Sequence, residues 1–406
     1  MIMARGNPER KSLEDWRLRW LPRRNVDTYG GPTNGFLYRP RQLLVAEDAD
    51  EAIREIPLAR DWPQPRRVEN TPVLQYTFED PIEIPHLVRL IRHEGESFGR
   101  PLRAGPNLVF TGEQAYQGCP GGWPRPAPRP DSDFEADDRS RRPVVAVFDT
   151  GYTDGIHDSL DRRIGGPESP PRQEDVDTRP TDGWRDFEAG HATFILGIIA
   201  GEARCADLRM VSVLDSEGYV DEVELLTAIK QLTENADIDI LNLSLGGFSF
   251  ADARPVALEH ALGALGDRTL VLAAAGNASE KGGRPFWPAH LQKGPDVDQK
   301  VIFSVGATTE GGEIAGYSNE PADFYTSGWA ESAFIEIDET SKHGSDVDGR
   351  RPQTFEGFAS WEGTSFATPK VAAMIAELMC EEGVDARAAA RELFARGESL
   401  GEGRLV

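Results

Sequence analysis

From residue 143 onward the chain repeats one pattern, a short apolar run followed by a longer stretch with helical spacing, and this alternation limits the fold more than any other feature. The runs lie at 144–148, 209–214, 238–243, 269–274 and 301–305, and Val, Ile, Leu and Ala fill successive positions in most of them. A strand that is apolar on both faces cannot leave either one in water, so it belongs in a parallel sheet with helices on both sides. Helical spacing follows at 221–236, where Asp221 and Glu224 make a capping-box-like start, and at 255–265. Two further helices are expected after Ser365 and Asp385. The expected fold over 143–406 is α/β, a doubly wound and mostly parallel sheet whose sites lie at the carboxyl ends of its strands.

The preceding residues read differently. Residues 1–35 are charged and rich in Arg, Trp, Gly and Pro without a sustained period, an irregular N-terminal arm. Alternating or compact apolar patterns then predict strands at 42–46, 72–78 and 106–110, with helical spacing at 48–56 and 84–93 between them. The order β-α-β-α-β makes 36–117 a smaller N-terminal α/β sandwich domain. Residues 118–142 are dense in Pro, Gly and acidic residues and form a linker that cannot bury enough apolar area to order itself.

The 406 residues carry 68 acidic against 44 basic side chains, a formal charge of −24. So negative a surface repels phosphates and excludes a general nucleic-acid binder. No apolar run approaches the ~18 residues needed to span a bilayer, so no membrane partner is expected. The amino terminus lacks the apolar stretch of a secretory signal. Cys119, Cys205 and Cys380 are odd in number and widely spaced, neither a disulfide framework nor a CxxC motif. Buried thiols in a reducing cytoplasm are the expectation.

Four residues stand where chemistry is plausible. Asp149 ends an apolar strand and precedes Thr150-Gly151, well placed to hold a partner by a charge-assisted hydrogen bond. Aspartic proteases use the same tripeptide, but they need two copies and this chain has one. His191 opens an apolar helical stretch, and taken alone reads as a structural histidine. Ser365 precedes Pro369, a residue best tolerated in a helix's first turn, which sets Ser365 at or just before a helix amino terminus; an ordinary N-cap fits equally. Asn277 follows the run 270–276, and alone Gly276-Asn277 is a turn. The string Gly95-Glu-Ser-Phe-Gly99 matches Gly-x-Ser-x-Gly, but it follows a helix instead of a buried strand and reads as a loop.

Taken together, Asp149-Thr-Gly151, His191-Ala-Thr193, Leu241-Asn-Leu-Ser-Leu-Gly-Gly247, Ala273-Ala-Ala-Gly-Asn277 and Gly363-Thr-Ser-Phe-Ala-Thr-Pro369 resemble the successive signatures of the subtilisin-like serine proteases, the subtilases. The resemblance spans about 143–382. It implies that Ser365 is the nucleophile, His191 its base and Asp149 the residue orienting that base, with Asn277 and the Ser365 backbone N–H as oxyanion donors. It also implies that Ser244, Leu245 and Gly246 pair with substrate backbone, and that Ala275 and Gly276 wall the primary specificity pocket. The family's second histidine is replaced by Phe194, its usual methionine after the serine by Phe366, and a common glycine at the pocket floor by Phe286, which makes that pocket shallow.

The implied activity is that of a serine endopeptidase, in a restricted intracellular maturation or regulatory role, acting on peptide or protein substrates without a cofactor. A catalytically idle peptide-binding module of the same fold is the alternative. The small domain is then propeptide-like, released near the basic residues 139–142, or a permanent surface that docks a partner or substrate. The acidic clusters at 154–161 and 174–182 lack Ca²⁺-loop spacing and are read as solvated surface, so no metal site is expected.

Overall fold

The computed structural model describes residues 25–30, 35–112 except 70, 81, 98, 100 and 101, 124–129, 134–165, 186, 188–291 except 236, 264, 266, 267 and 280–282, 300–337 and 354–406. Most of the irregular arm, much of the 118–142 linker, Cys119 and the acidic cluster at 174–182 lie outside the described residues.

Strands β1 (Asp27–Tyr29) and β2 (Phe36–Ala46) are the first elements among the described residues, and β1 pairs antiparallel with the start of β2. The arm therefore contributes a strand. Helix α1 (Glu47–Glu55) carries Glu47, Asp48 and Asp50 in its first turn and Arg54 in its last, which suits the helix dipole, and buries Ala49, Ala52 and Ile53. After β3 (Arg66–Arg67) and β4 (Val73–Thr77), helix α2 (Ile84–Ser97) turns Ile84, Leu87, Val88 and Ile91 inward at i, i+3, i+4 and i+7. Strand β5 (Ala104–Thr111) is buried at all 8 residues. The described strands and α-helices here run β1-β2-α1-β3-β4-α2-β5, with the short β1 and β3 added to the expected β-α-β-α-β sequence, and β2 is antiparallel to both β4 and β5.

The linker is more structured than its composition suggested. Strand β6 (Arg125–Pro126) pairs with a strand far downstream. Phe134 enters the main core. Arg139 forks onto Glu377 at 2.6 and 2.9 Å, and Arg142 pairs with Asp207 at 2.7 Å. These arginines tie the segment down instead of offering a free cleavage site.

Strand β7 (Val144–Asp149) begins the large sheet. There follow α3 (His191–Glu202), β8 (Asp207–Ser212), β9 (Tyr219–Asp221), α4 (Glu222–Asn235), β10 (Ile240–Leu243), α5 (Val256–Gly263), β11 (Leu270–Ala274), β12 (Ile302–Thr308), β13 (Phe324–Ser327), β14 (Trp329–Ile337), β15 (Phe355–Glu362), α6 (Thr364–Glu382), α7 (Ala386–Arg396), β16 (Glu398–Leu400) and β17 (Gly403–Leu405). The large sheet runs β16-β17-β13-β12-β11-β10-β7-β8. Every neighbouring pair in it is parallel except the closing β16–β17 hairpin.

Its strands are apolar on both faces because both are covered. Val145, Val147, Ile240, Leu270 and Leu272 join a core with α3, α6 and α7. Ala146, Phe148, Leu241, Leu243, Val271 and Ala273 join a second core with α4 and α5. That second core also contains the small domain, whose sheet, in the order β3-β4-β2-β5-β9, borrows β9 from the larger region.

Buried Arg163 closes the carboxyl end of α3, donating to the carbonyls of Ala200, Ala203 and Ala206 at 2.5–2.7 Å. Nearby, Cys205 and Cys380 form a disulfide, which corrects the expectation of two separate thiols. A separation of 175 residues hid the pairing, which arises because the chain leaving α3 runs beside the end of α6. Such bonds persist in oxidising surroundings, so the cysteines no longer argue for a reducing cytoplasm. Among the described residues no helix is long and apolar enough to cross a membrane, and no cluster of three or more His, Cys, Asp or Glu has the arrangement of a metal site.

Candidate active site

Asp149 is the last residue of β7 and is fully buried. Its Oδ1 accepts from the Thr150 N–H at 2.8 Å, and both carboxylate oxygens lie 2.9 Å from His191 Nδ1. His191 is the first residue of α3 and is equally buried, behind the N-cap Gly190 at φ 89°. Two rings flank the imidazole, Trp361 edge-on at 5.6 Å and Phe366 at 5.3 Å. Contacts on these faces leave the ring little freedom to turn.

Ser365 is the second residue of α6, and its Oγ has no hydrogen-bond partner among the described residues. Pro369 is the sixth residue of the helix, not in the first turn as expected. A proline there lacks the N–H that would bond the carbonyl four residues back, which belongs to Ser365. Ser244 Oγ donates to that carbonyl instead, at 2.8 Å, and itself accepts from Asn242 Nδ2 at 3.0 Å. Ser244 was expected only as part of a substrate-pairing segment, and the structure adds this contact with the serine's own backbone.

Asn277 follows β11. Its Oδ1 accepts from the Thr364 N–H and the Thr364 hydroxyl, both at 3.0 Å. Fixing Oδ1 fixes the amide orientation, so Nδ2 is the end left to donate. Leu245 is fully buried, and Gly246 exchanges two backbone hydrogen bonds with Thr111, 2.8 and 2.9 Å long. The last residue of β5 thus already lies along the segment expected to hold substrate.

Phe286 is buried and meets Phe248 edge-on at 5.3 Å. A methyl group built on Gly246 would fall 2.2 Å from the Phe286 ring, and one on Gly276 2.9 Å from it, so the ring fills the space between these two glycines. Ala275 beside them is buried, and its carbonyl accepts from Asn319 Nδ2 at 2.8 Å.

Two features escaped the sequence. Phe194 and Phe366, two of the three departures from the family pattern, pack on each other at 4.7 Å, so each supplies the other's partner. Glu188, fully buried, places Oε2 3.8 Å from His191 Nδ1. Its position three residues before His191, on the same turn, was the available signal.

The chain belongs to the subtilase family, whose profile matches residues 140–393. The intracellular serine protease of Paenibacillus polymyxa is 30% identical over 247 residues, 59% of this chain and 67% of the relative. Subtilisin-like protease 1 of Arthroderma otae is 27% identical over 228 residues, 54% of this chain and 41% of the relative. Subtilisin E of Bacillus subtilis is 29% identical over 251 residues, 58% of this chain and 55% of the relative. The chain spans about half the length of most of these curated relatives. Among solved structures, fervidolysin from Fervidobacterium pennivorans, a keratinolytic enzyme related to subtilisin, superposes with a TM-score of 0.58 at 17% identity, over 89% of this chain and 58% of that one. That likeness concerns the fold alone.

Proposed function

We propose that this chain is a serine endopeptidase, and the observation that carries the reading is the fully buried Asp149–His191 pair with both carboxylate oxygens on Nδ1. A carboxylate on Nδ1 leaves Nε2 as the basic nitrogen and stabilises the imidazolium that forms when it takes a proton. Ser365 Oγ attacks the scissile carbonyl as His191 accepts the hydroxyl proton. Asn277 Nδ2 and the Ser365 N–H at the amino end of α6 stabilise the oxyanion, a contribution of ~3–4 kcal/mol for one such donor in the subtilisin case. His191 then returns the proton to the leaving amine, and water releases the acyl group by the same route reversed.

Substrate backbone lies along Ser244, Leu245 and Gly246, while Ala275, Gly276 and Phe286 bound the pocket for the residue before the cleaved bond. The pairing of Thr111 with Gly246 supports a propeptide-like small domain over 36–117 that fills the cleft as a substrate strand would. The filled pocket favours a narrow maturation or regulatory cleavage over general digestion. The name of the Paenibacillus relative favours an intracellular setting and the Cys205–Cys380 bond an oxidising one, a choice that thiol counting on protein from its native cells decides. Incubation with a diverse peptide library, read by mass spectrometry beside Ser365→Ala protein, tests the reading. Cleavage unchanged in that variant overturns it.

A further inference from the structure

Gly112 follows directly on β5 at a point held by backbone and faced by the Glu188 side chain. Its N–H donates to the Gly218 carbonyl at 3.2 Å, one residue beyond the reciprocal pairing of Thr111 with Gly246. A methyl group built on Gly112 would lie 2.8 Å from Glu188 Cδ and 2.9 and 3.1 Å from its two carboxylate oxygens. The Gly112 backbone does not itself require glycine, since its φ lies outside the left-handed region. What keeps a side chain from this position is Glu188.

Glu188 has little room to yield. It is fully buried, its N–H donates to the Ser216 carbonyl at 2.9 Å, and its carbonyl accepts from the His191 N–H at 2.9 Å. Its Cγ lies against Gly218, where a methyl group would come within 2.3 Å, and Oε2 stands 3.8 Å from His191 Nδ1. A carboxylate pushed away from Gly112 presses on Gly218 or on the Asp149–His191 pair, and both moves disturb close packing around a buried charge.

We propose that Glu188 is a specificity-determining residue that restricts the cleft position filled by Gly112 to glycine, so that the substrates are extended peptide segments bearing glycine there. This rests on the cleft being a peptide-hydrolysing site. Exclusion by a fixed wall is stronger than the ~10–200-fold that one methylene yields in an apolar pocket.

The test uses the full chain with Gly112→Val, Glu188→Ala, both together, and Gly112→Val combined with Glu188→Gln. Amide hydrogen exchange at Thr111 and Gly246 reports how the strand is seated without any need for turnover. Gly112→Val is expected to speed exchange there at least ~10-fold, the pairing with Glu188→Ala to restore protection, and the pairing with Glu188→Gln to leave it lost, because glutamine keeps the bulk. Exchange in Gly112→Val equal to that of the parent, or no rescue by Glu188→Ala, overturns the proposal. In peptide libraries the parent should demand glycine at one position before the cleaved bond, and Glu188→Ala should admit Ala and Val. A preference for Lys or Arg at that position would instead show Glu188 recruiting a cation and overturn the steric account. Absence of cleavage by every variant refutes the peptidase reading and leaves the exchange result standing.

Discussion

Replacing Phe286 by alanine removes a ring that lies between Gly246 and Gly276 and meets Phe248 edge-on at 5.3 Å. Truncating a buried phenylalanine costs about 3–5 kcal/mol, of which the lost ring pair accounts for roughly 0.5–1.5. The space released is bounded by Gly246, the residue already paired with the incoming strand. Water can therefore enter it, and the lower end of that range applies. Against a total stability of about 5–15 kcal/mol the variant still folds. The same space then admits a substrate side chain: burying several further methylenes favours Phe, Leu and Tyr by about 1–3 kcal/mol, or 10–200-fold in kcat/KM relative to Ala.

Two measurements are required together. Urea unfolding should show a lower midpoint with an unchanged slope, and library cleavage should shift from small residues before the scissile bond toward large ones. A parent enzyme that already prefers large side chains would refute the reasoning, because the ring could not then be filling the pocket. So would a variant that loses stability without any change in preference, since the ring would be core packing alone.

Ser365→Ala or His191→Ala should lower kcat by roughly 10⁶ with the circular dichroism spectrum unchanged, and neither protein should turn over peptide when the parent does; Asp149→Asn should cost about 10⁴ by favouring the wrong imidazole tautomer. Activity should rise with pH through a value near ~6–7 and level off above it, and a flat profile from pH 5 to 8 would remove His191 from the mechanism. Ser244→Ala leaves the Ser365 carbonyl without the donor that replaces the missing proline N–H, a loss of about 1–2 kcal/mol that should appear as a ~5–30-fold lower kcat with little change in KM. Burial pushes Glu222 up to about 7 from an ordinary 4.5 although it accepts from the Ala257 and Leu258 N–H groups, so its ionised form weakens the fold. Its contribution is best below pH 4.5 and is lost as pH rises through 7, a slope of roughly 3 kcal/mol that Glu222→Gln should flatten in urea unfolding at pH 5 and 8.

What could be read from sequence followed from side chains that repeat or punctuate. The strands at 144–148 and 269–274 are legible because both faces are apolar, and α1 and α2 because their buried residues recur at helical spacing. Strands β1, β6 and β16 were not legible: two or three residues such as Arg125-Pro126 pair through backbone alone and carry no pattern. Candidate site residues adjoining fixed motifs can be picked out one by one. Their mutual support cannot, because the Ser244 hydroxyl reaches the Ser365 carbonyl across 121 residues. Similarly, Phe194 and Phe366 each look like a departure until they are seen packed together.

The position of β5 also joins the small domain to the larger region by hydrogen bonds and by a shared core. Strand β5 has β2 on one edge and β9 on the other, so its hydrogen bonds join residues from both sides of the linker. All its residues are buried, which for a sheet means cover on both faces. One cover comes from the domain's own helices, and the core it shares with Val223, Leu226, Val256 and Ala257 supplies residues of α4 and α5. The hydrogen bonds of β5 to β2 and β9 do not depend on the covalent link between the two regions. Separation then requires removing β5 from β9 and stripping apolar cover from α4 and α5 in one step. A region joined in this way forms an outer layer of the fold, and on the reading proposed above it also fills the cleft. Glu222, whose carboxyl group caps α5 within this same junction, places a buried titratable group where the two parts meet.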